Sequence, residues 1–164
     1  MRIAPLDKAR HDRTSFDCGI PALNHYLKIM ASQQSSKDNS RTFVLETDQP
    51  THNIIGFYTL TMTLVDLSGL PPRLQKKHQS ATSAGLIARL AIDQRHAGKR
   101  LGEGLLIDAL KRLLQASDEI GFPLVIVDAK DGAHAFYQKY GFNPFQHQPN
   151  KLFMTIADIR KSMT

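Results

Sequence analysis

The chain has 164 residues, of which 41% are hydrophobic and 22% are charged, a length and composition that suit one globular domain over residues 1–164. It has no uninterrupted apolar run of about 18 residues and no N-terminal apolar signal segment, so we expect a soluble, cytoplasmic protein with no membrane contact. One cysteine, Cys18, excludes an intrachain disulfide, and seven histidines without a recognised ligand spacing predict no metal site. The 21 Lys and Arg against 15 Asp and Glu give a formal net charge of +6, which favours a polyanionic partner, although scattered charges on an ordinary soluble protein explain it equally well.

The first half of the chain predicts one helix and a pair of strands. Apolar residues recur at the spacing of one helical face after Pro21, namely Leu23, Tyr26, Leu27 and Met30. The polar residues 32–40 then read as a loop. Residues 42–46 and 54–62 are rich in β-branched and aromatic side chains, so we expect two strands that pair as a hairpin.

The middle of the chain predicts an irregular segment followed by a strand. Residues 68–85 contain two prolines and no acidic residue, and they carry a cationic cluster of Arg73, Lys76, Lys77 and His78. Long irregular segments are usually either functional or disordered, and the composition does not separate the two. Residues 86–92 form a short apolar run that only Arg89 interrupts, which predicts a buried strand.

The second half predicts an alternation of helices and strands. A helical stripe of leucines and alanine runs from Leu101 to Leu114, and a second stripe contains Ala133, Phe136, Tyr137 and Tyr140 before a capping Gly141. Residues 123–129 and 151–156 read as strands. This order of elements indicates an α/β layered fold.

A predicted anion site lies where the strand at residues 86–92 meets the following helix. A strand that runs through a glycine-containing turn into a helix leaves backbone N–H groups pointing outward at the positive helix end. Residues 94–104 contain three cations and one acid, Glu103, and Asp93 is placed to cap the turn. A pyrophosphate suits such a site, and neither a Walker A loop nor a GxGxxG fingerprint is present.

These segments resemble the GCN5-related N-acetyltransferase (GNAT) family. The family's loop, Gln/Arg-x-x-Gly-x-Gly/Ala, aligns with residues 97–102, where Gly102 matches, Ala97 replaces the polar residue and Arg100 replaces the central glycine. The later segment FYQKYGF, residues 136–142, matches fully. The resemblance implies a GNAT fold, with a mixed, mostly antiparallel sheet of six to seven strands flanked by about four helices, and it implies acetyl-coenzyme A as cofactor.

Further segments from about Phe16 to Phe153 resemble the acetyltransferase toxins of type II toxin–antitoxin systems. They include FDCG, LNHYL, SRTFVLE, ARLAID and VDAKDGAHAFYQKYGF. This resemblance implies acetylation of the α-amino group of aminoacyl-tRNA, a block of translation, neutralisation by a ribbon-helix-helix antitoxin, and a homodimer. One alternative is a small-molecule or protein N-terminal acetyltransferase. Another is a non-catalytic nucleic-acid-binding module, which the departures from the loop motif at Ala97 and Arg100 would support.

The resemblance assigns roles to particular residues. Those implied to bind the coenzyme are Leu90, Ala91, Ile92, Arg95, Gly98, Lys99, Arg100, Leu101, Gly102, Lys130, Phe136 and Tyr137. Tyr137 is the candidate general acid, because a phenol with a pKa of about 10 can return a proton to a thiolate, although its helical stripe also suits a core residue. Arg73, Lys76, Lys77 and Arg95 are the candidates for tRNA contact. We expect direct transfer, without an acetyl intermediate on Cys18.

Overall fold

The computed structural model describes residues 1–48, 52–78, 81–129 and 132–164. Seven strands form one mixed sheet with the order β1-β2-β3-β4-β5-β7-β6. The strands are β1 (Arg2–Pro5), β2 (Arg41–Glu46), β3 (Ile54–Asp66), β4 (Ala81–Ile92), β5 (Leu124–Asp128), β6 (Asn143–Phe145) and β7 (Gln148–Thr155). The α-helices are α1 (Pro21–His25), α2 (Ala31–Ser36), α3 (Pro72–Lys77), α4 (Leu101–Ile120), α5 (His134–Lys139) and α6 (Ile156–Ser162).

The chain divides into two compact units, the first of which comprises Met1–Thr61 and Ala88–Ala109. In this unit β2 pairs antiparallel with both β1 and β3. A π-helical turn, Tyr26–Met30, joins α1 to α2. These helices cover a core that contains Phe16, Tyr26, Leu27, Ala31, Val44, Ile54, Phe57 and Ala91.

The second unit comprises Met62–Ile87 and Leu110–Thr164. Here β4 pairs parallel with β5 from Ala84↔Leu124 to Ile87↔Val127, and β7 pairs antiparallel with β5 and β6. The side chains from Leu124 to Val127 are all buried, as expected of a strand that pairs in parallel. The core of this unit contains Val65, Leu67, Leu70, Leu74, Ala84, Leu124, Ile126, Phe145 and Phe153.

Most of the predicted elements are confirmed. The first helix, the β2–β3 hairpin, α4, β5, α5 with its left-handed Gly141 (φ 102°), and β7 all occur. The seven-stranded mixed sheet confirms the expected fold class. The expectation of one domain over residues 1–164 stays a prediction.

Two loop predictions are wrong in part, and three short elements were not predicted. Residues 32–36 belong to α2, because Ala31 packs into the core at the start of that helix. Within residues 68–85, of which 79 and 80 lie outside the described residues, Pro72 begins α3 and β4 starts at Ala81. β4 is also only partly buried. The elements β1, β6 and α6 are too short to carry a periodic pattern.

Candidate active site

The junction between β4 and α4 is a short, capped turn. β4 ends at Ile92, a 3₁₀ turn covers Gln94–His96, and α4 begins at Leu101. The carboxylate of Asp93 caps the 3₁₀ turn by accepting hydrogen bonds from the backbone N–H of Arg95 at 2.9 Å and of Asp17 at 3.0 Å. The expected capping role of Asp93 is thereby confirmed.

Arg95 completes this turn with its side chain. Its Nε and Nη2 donate to the two carboxylate oxygens of Asp93 at 2.9 and 2.8 Å, and Nη2 also donates to the carbonyl of Ser15 at 3.1 Å. These hydrogen bonds from Arg95 hold the pKa of the fully buried Asp93 carboxyl well below its usual range, against the opposing effect of burial. The guanidinium therefore has a structural task, and its contact with coenzyme or RNA stays a prediction.

The loop after this turn has the backbone of an anion site. Gly98 and Arg100 both have left-handed backbones, with φ values of 80° and 58°, so the arginine takes the conformation that favours the family's central glycine. Apart from Gly98 and its two chain neighbours, no described residue has an atom within 4 Å of the point where a Cβ of Gly98 would be. Alternating backbone handedness turns successive N–H groups to one side, which makes a concavity for anions.

The start of α4 and the cations of the loop complete this region. Leu101 and Gly102 are the first two residues of α4, where backbone N–H groups have no partner within the helix. Lys99 lies beside them, with Nζ 3.4 Å from His96 Nδ1. The region thus combines free helix N–H groups with positive side chains, and this combination fits a pyrophosphate.

The end of β4 is fixed by close packing within the first unit. A Cβ on Gly56 would lie 2.9 Å from the carbonyl oxygen of Ala91 and 2.6 Å from Ile92 Cδ1, so only glycine fits there. The Ala91 side chain is buried in the core, whereas the side chains of Leu90 and Ile92 are half-buried. The backbone of this strand end is therefore held rigidly for the predicted role of residues 90–92.

Arg89 also belongs to this region, although the sequence did not identify it as a site residue. Its guanidinium carbon lies 3.6 Å from the ring centroid of Tyr26, which is in the π-helical turn, and such a stack fixes the direction of the guanidinium. The available signal was the lone charge inside an apolar strand run.

Tyr137 belongs to the second unit and is packed between aromatic rings. Its ring centroid lies 5.2 Å from that of Phe136 and 5.6 Å from that of Phe142, both at edge-to-face angles. Burial, with a smaller effect from the negative charge of Asp128, raises its pKa to about 12. No hydrogen bond found in the described part of the chain involves Tyr137 Oη. The hydroxyl therefore stays protonated and available as a donor.

The remaining predicted residues are distributed as follows. Arg73, Lys76 and Lys77 are exposed on α3, which Leu74 anchors in the core. Lys130 lies outside the described residues. Burial raises the pKa of the Cys18 thiol, whose side chain packs beside the core of the first unit, so the reactive thiolate is disfavoured. Among the described residues, no group of His, Cys, Asp or Glu is arranged to hold a metal, and no helix is suited to cross a membrane.

Comparison with known proteins identifies the family to which this chain belongs. Residues 38–144 match the acetyltransferase (GNAT) domain. A probable toxin TacT from Sinorhizobium fredii is 34% identical over 98% of this chain and 94% of its own length. A tRNA-acetylating toxin from Mycobacterium tuberculosis is 35% identical over 91% of this chain and 89% of its own. The chain therefore belongs to the GNAT family and is an acetyltransferase that uses acetyl-coenzyme A.

Solved structures agree with this assignment. AtaT complexed with acetyl-methionyl-tRNAfMet has a TM-score of 0.91 and 28% identity, and the match covers 99% of both chains. AtaT was also solved as a tyrosine-to-phenylalanine mutant bound to acetyl-CoA and the C-terminus of the antitoxin AtaR. That structure has a TM-score of 0.86 and 27% identity, and the match covers 99% of this chain and 98% of the other.

Proposed function

We propose that this acetyltransferase is a toxin that acetylates the α-amino group of aminoacyl-tRNA and thereby blocks translation. The observation that carries the proposal is the match to AtaT with acetyl-methionyl-tRNAfMet, at a TM-score of 0.91 over 99% of both chains. The relative named as a tRNA-acetylating toxin adds support from the sequence, at 35% identity over 91% of this chain. The formal net charge of +6 suits a nucleic-acid acceptor.

An aminoacyl-tRNA amine suits the residues available in this chain. A free α-amine has a pKa of about 8, against about 10.4 for a lysine amine, so it needs far less help to become the neutral nucleophile. The ester bond to the tRNA lowers the amine pKa further. A dedicated buried base is therefore not required for this acceptor.

The chain's own groups then supply binding, polarisation and a proton. Gly98, Lys99, Arg100, Leu101 and Gly102 hold the coenzyme's pyrophosphate by N–H groups and positive charge. Bound acetyl-coenzyme A supplies the acetyl group as an activated thioester. The backbone N–H of Leu90 or Ala91 donates to the carbonyl oxygen as negative charge develops on it.

Tyr137 has the task of proton donor in this proposal. Its Oη gives its proton to the departing sulfur, and the proton that the acetylated amine loses restores the phenol. Because its pKa is raised to about 12, the phenol is protonated near neutral pH, as a proton donor has to be. Phe136 contacts the Tyr137 ring edge-to-face and fixes its orientation.

The same proposal includes partners of the toxin. An antitoxin neutralises it, as the AtaT structure with the C-terminus of AtaR supports, and we infer the ribbon-helix-helix type for that antitoxin. We further infer a cytoplasmic homodimer. Sedimentation velocity with and without a co-expressed antitoxin tests both assemblies, and a monomer at all concentrations would contradict the homodimer.

The deciding experiment uses labelled acetyl-coenzyme A with charged and deacylated total tRNA side by side. We expect label only in charged tRNA, and nuclease digestion should release N-acetyl-aminoacyl-adenosine. Parallel reactions with polyamines and N-terminal peptides test the alternative of a small-molecule or protein acetyltransferase. Label confined to those acceptors would overturn the tRNA assignment.

A further inference from the structure

The segment before α1 and the 3₁₀ turn after β4 are joined by hydrogen bonds of Asp17. Its backbone N–H donates to the Asp93 carboxylate at 3.0 Å, and its carbonyl accepts a hydrogen bond from the N–H of Gln94 at 2.9 Å. Its carboxylate Oδ2 accepts another from Gln94 Nε2 at 3.1 Å. Both parts of the chain belong to the first unit. Asp17 therefore holds the first residue of the turn with its backbone and with its side chain.

The same carboxylate is fixed from the side of α1. Oδ1 accepts hydrogen bonds from the backbone N–H of Gly19 at 2.8 Å and from Asn24 Nδ2 at 2.9 Å. Asn24 Oδ1 in turn accepts one from the N–H of Cys18 at 2.9 Å. These bonds, above all that from Asn24, hold the pKa of the Asp17 carboxyl below its ordinary value. The carboxylate is therefore ionised at neutral pH and links α1 to the turn.

This link lies at the surface and is separate from the core. The side chains of Asp17 and Gln94 are exposed, whereas the neighbouring Phe16 is buried in the core of the first unit. Phe16 thus anchors the segment independently of the Asp17 carboxylate. Substitutions of exposed side chains usually change global stability little. The hydrogen bonds of the Asp17 side chain therefore act on local geometry more than on the stability of the unit.

The geometry that the link fixes is the start of the proposed coenzyme loop. The 3₁₀ turn covers Gln94–His96, and the loop at residues 97–102 begins at the next residue. The direction in which the chain leaves the turn decides where the N–H groups of the loop point. A loop that is already held in its binding conformation binds more tightly, because less ordering is left to occur on binding.

We propose that Asp17 is a positioning residue of the coenzyme site, which orients the loop at residues 97–102 through its hydrogen bonds with Gln94 and Asp93. The inference rests on the proposed place of the pyrophosphate in that loop. It predicts the opposite of a purely electrostatic effect. Asp17 is negative, so its removal would strengthen the binding of the anionic coenzyme if charge alone acted. Loss of positioning weakens that binding instead.

The test compares Asp17→Ala with Asp12→Ala in calorimetric titrations with coenzyme A. Asp12 is a matched control, because its carboxylate is held within the same segment by hydrogen bonds from Thr14 and Ser15 at 2.7–3.0 Å. We expect Asp17→Ala to bind coenzyme A about five- to tenfold more weakly. Asp12→Ala should match the wild type or bind slightly more tightly. The urea midpoints of the two variants should agree.

A conservative variant and a truncated donor separate positioning from a general loss of structure. Asp17→Asn keeps the oxygen that Gly19 and Asn24 bind. Its new amide can donate to Oε1 of Gln94 once that side-chain amide has turned over, so the affinity should return to within about twofold of the wild type. In kinetics, Asp17→Ala should raise KM for acetyl-coenzyme A and leave kcat unchanged. With S-acetylpantetheine, which lacks the pyrophosphate, kcat/KM should equal that of the wild type.

The possible failures can be told apart. Unchanged or tighter coenzyme A binding by Asp17→Ala would overturn the inference, and so would an equal loss of kcat/KM with S-acetylpantetheine. Unchanged binding by both Asp17→Ala and Arg100→Ile would overturn the proposed place of the pyrophosphate as well. Calorimetry needs no acceptor. If the wild type binds coenzyme A but acetylates no aminoacyl-tRNA, the proposed acceptor fails and the calorimetric comparison still decides the role of Asp17.

Discussion

Asp93 and Arg95 form an ion pair in which a fully buried carboxylate lies 2.8 Å from a largely exposed guanidinium. The same carboxylate also accepts hydrogen bonds from the backbone N–H groups of Arg95 and Asp17. One side chain thus fixes the end of β4, the 3₁₀ turn and the segment before α1. The loop at residues 97–102, which we propose to hold the coenzyme's pyrophosphate, depends on this fixed point because it begins directly after the turn.

We therefore predict that Asp93→Asn lowers the free energy of unfolding by about 2 kcal/mol at neutral pH. The depressed pKa in the folded state makes Asp93 stabilising above the unfolded pKa of about 3.9 and progressively less so as pH falls below it. The difference between wild type and variant should shrink from pH 6 to pH 3. Urea unfolding at several pH values measures it.

The control for this prediction is Asp118→Asn. Asp118 pairs with Arg160 at 3.1 Å, but both side chains are more than half exposed. Loss of such a surface pair should cost less than about 0.5 kcal/mol. Equal losses in the two variants would show that the buried pair is not the fixed point that we describe.

Arg100→Gly should weaken coenzyme binding by no more than about threefold, because the variant loses one positive charge but glycine adopts the left-handed backbone of residue 100 without strain. Arg100→Ile should weaken it at least about tenfold, since a β-branched residue is strained there. Lys99→Ile serves as the matched control, because Lys99 is not in the left-handed region. Calorimetry with coenzyme A measures all three variants.

The Arg100 variants also bear on the alternative that the chain is a non-catalytic nucleic-acid-binding module. That alternative depends on a side chain at residue 100 preventing the backbone path of the loop, yet Arg100 follows the path that glycine favours. Equal effects of Arg100→Ile and Lys99→Ile would mean that the backbone at residue 100 has no special part in binding.

The sequence predicted the elements whose pattern is long and regular. The leucine stripe of α4 and the apolar run of β5 can each be recognised from a short stretch of sequence, because each is buried along its length. By contrast, β1 and β6 have four and three residues and each contains a proline, so they exist only because β2 and β7 offer partners. Such pairing joins distant segments and is invisible in a local pattern.

The candidate site divides in the same way. The loop at residues 97–102 and the Tyr137 segment were predicted, since a resemblance works on short runs of letters. The stack of Arg89 on Tyr26 was not predicted, because it brings together parts of the chain that are far apart in sequence. The ion pair of Asp93 with Arg95 was missed for another reason: two neighbouring charged residues are usually solvated.

A pair of glycine variants tests the packing behind the site. Gly56→Ala should lower the free energy of unfolding by at least about 2 kcal/mol, because its methyl group would meet backbone at Ala91 and side chains of Ile92 and Leu105 at 2.6–2.9 Å. Gly104→Ala has open space around it within α4 and should raise stability by about 0.5–1 kcal/mol. Thermal and urea unfolding measure both, and a neutral Gly56→Ala would refute the close approach.

Tyr137→Phe is expected to reduce kcat at least about a hundredfold, because the variant lacks the donor proton. Folding stability should be unchanged or slightly higher, since the rings of Phe136 and Phe142 keep their contacts and Tyr137 has no side-chain hydrogen bond to the described residues. Tyr140→Phe, on the same helical face, should stay within about threefold of wild type. Steady-state kinetics with saturating acetyl-coenzyme A and aminoacyl-tRNA provides the comparison.

The pH dependence of the wild type gives an independent test of the donor. The rate should rise as the acceptor amine loses its proton, at a pH below the value of about 8 that holds for a free α-amine, and then stay level. Because the pKa of Tyr137 is raised to about 12 from its ordinary 10, the donor remains protonated well above pH 9. A descending limb with a midpoint between pH 8 and 9 that persists in Tyr137→Phe would assign the proton to another group and leave Tyr137 as a core residue.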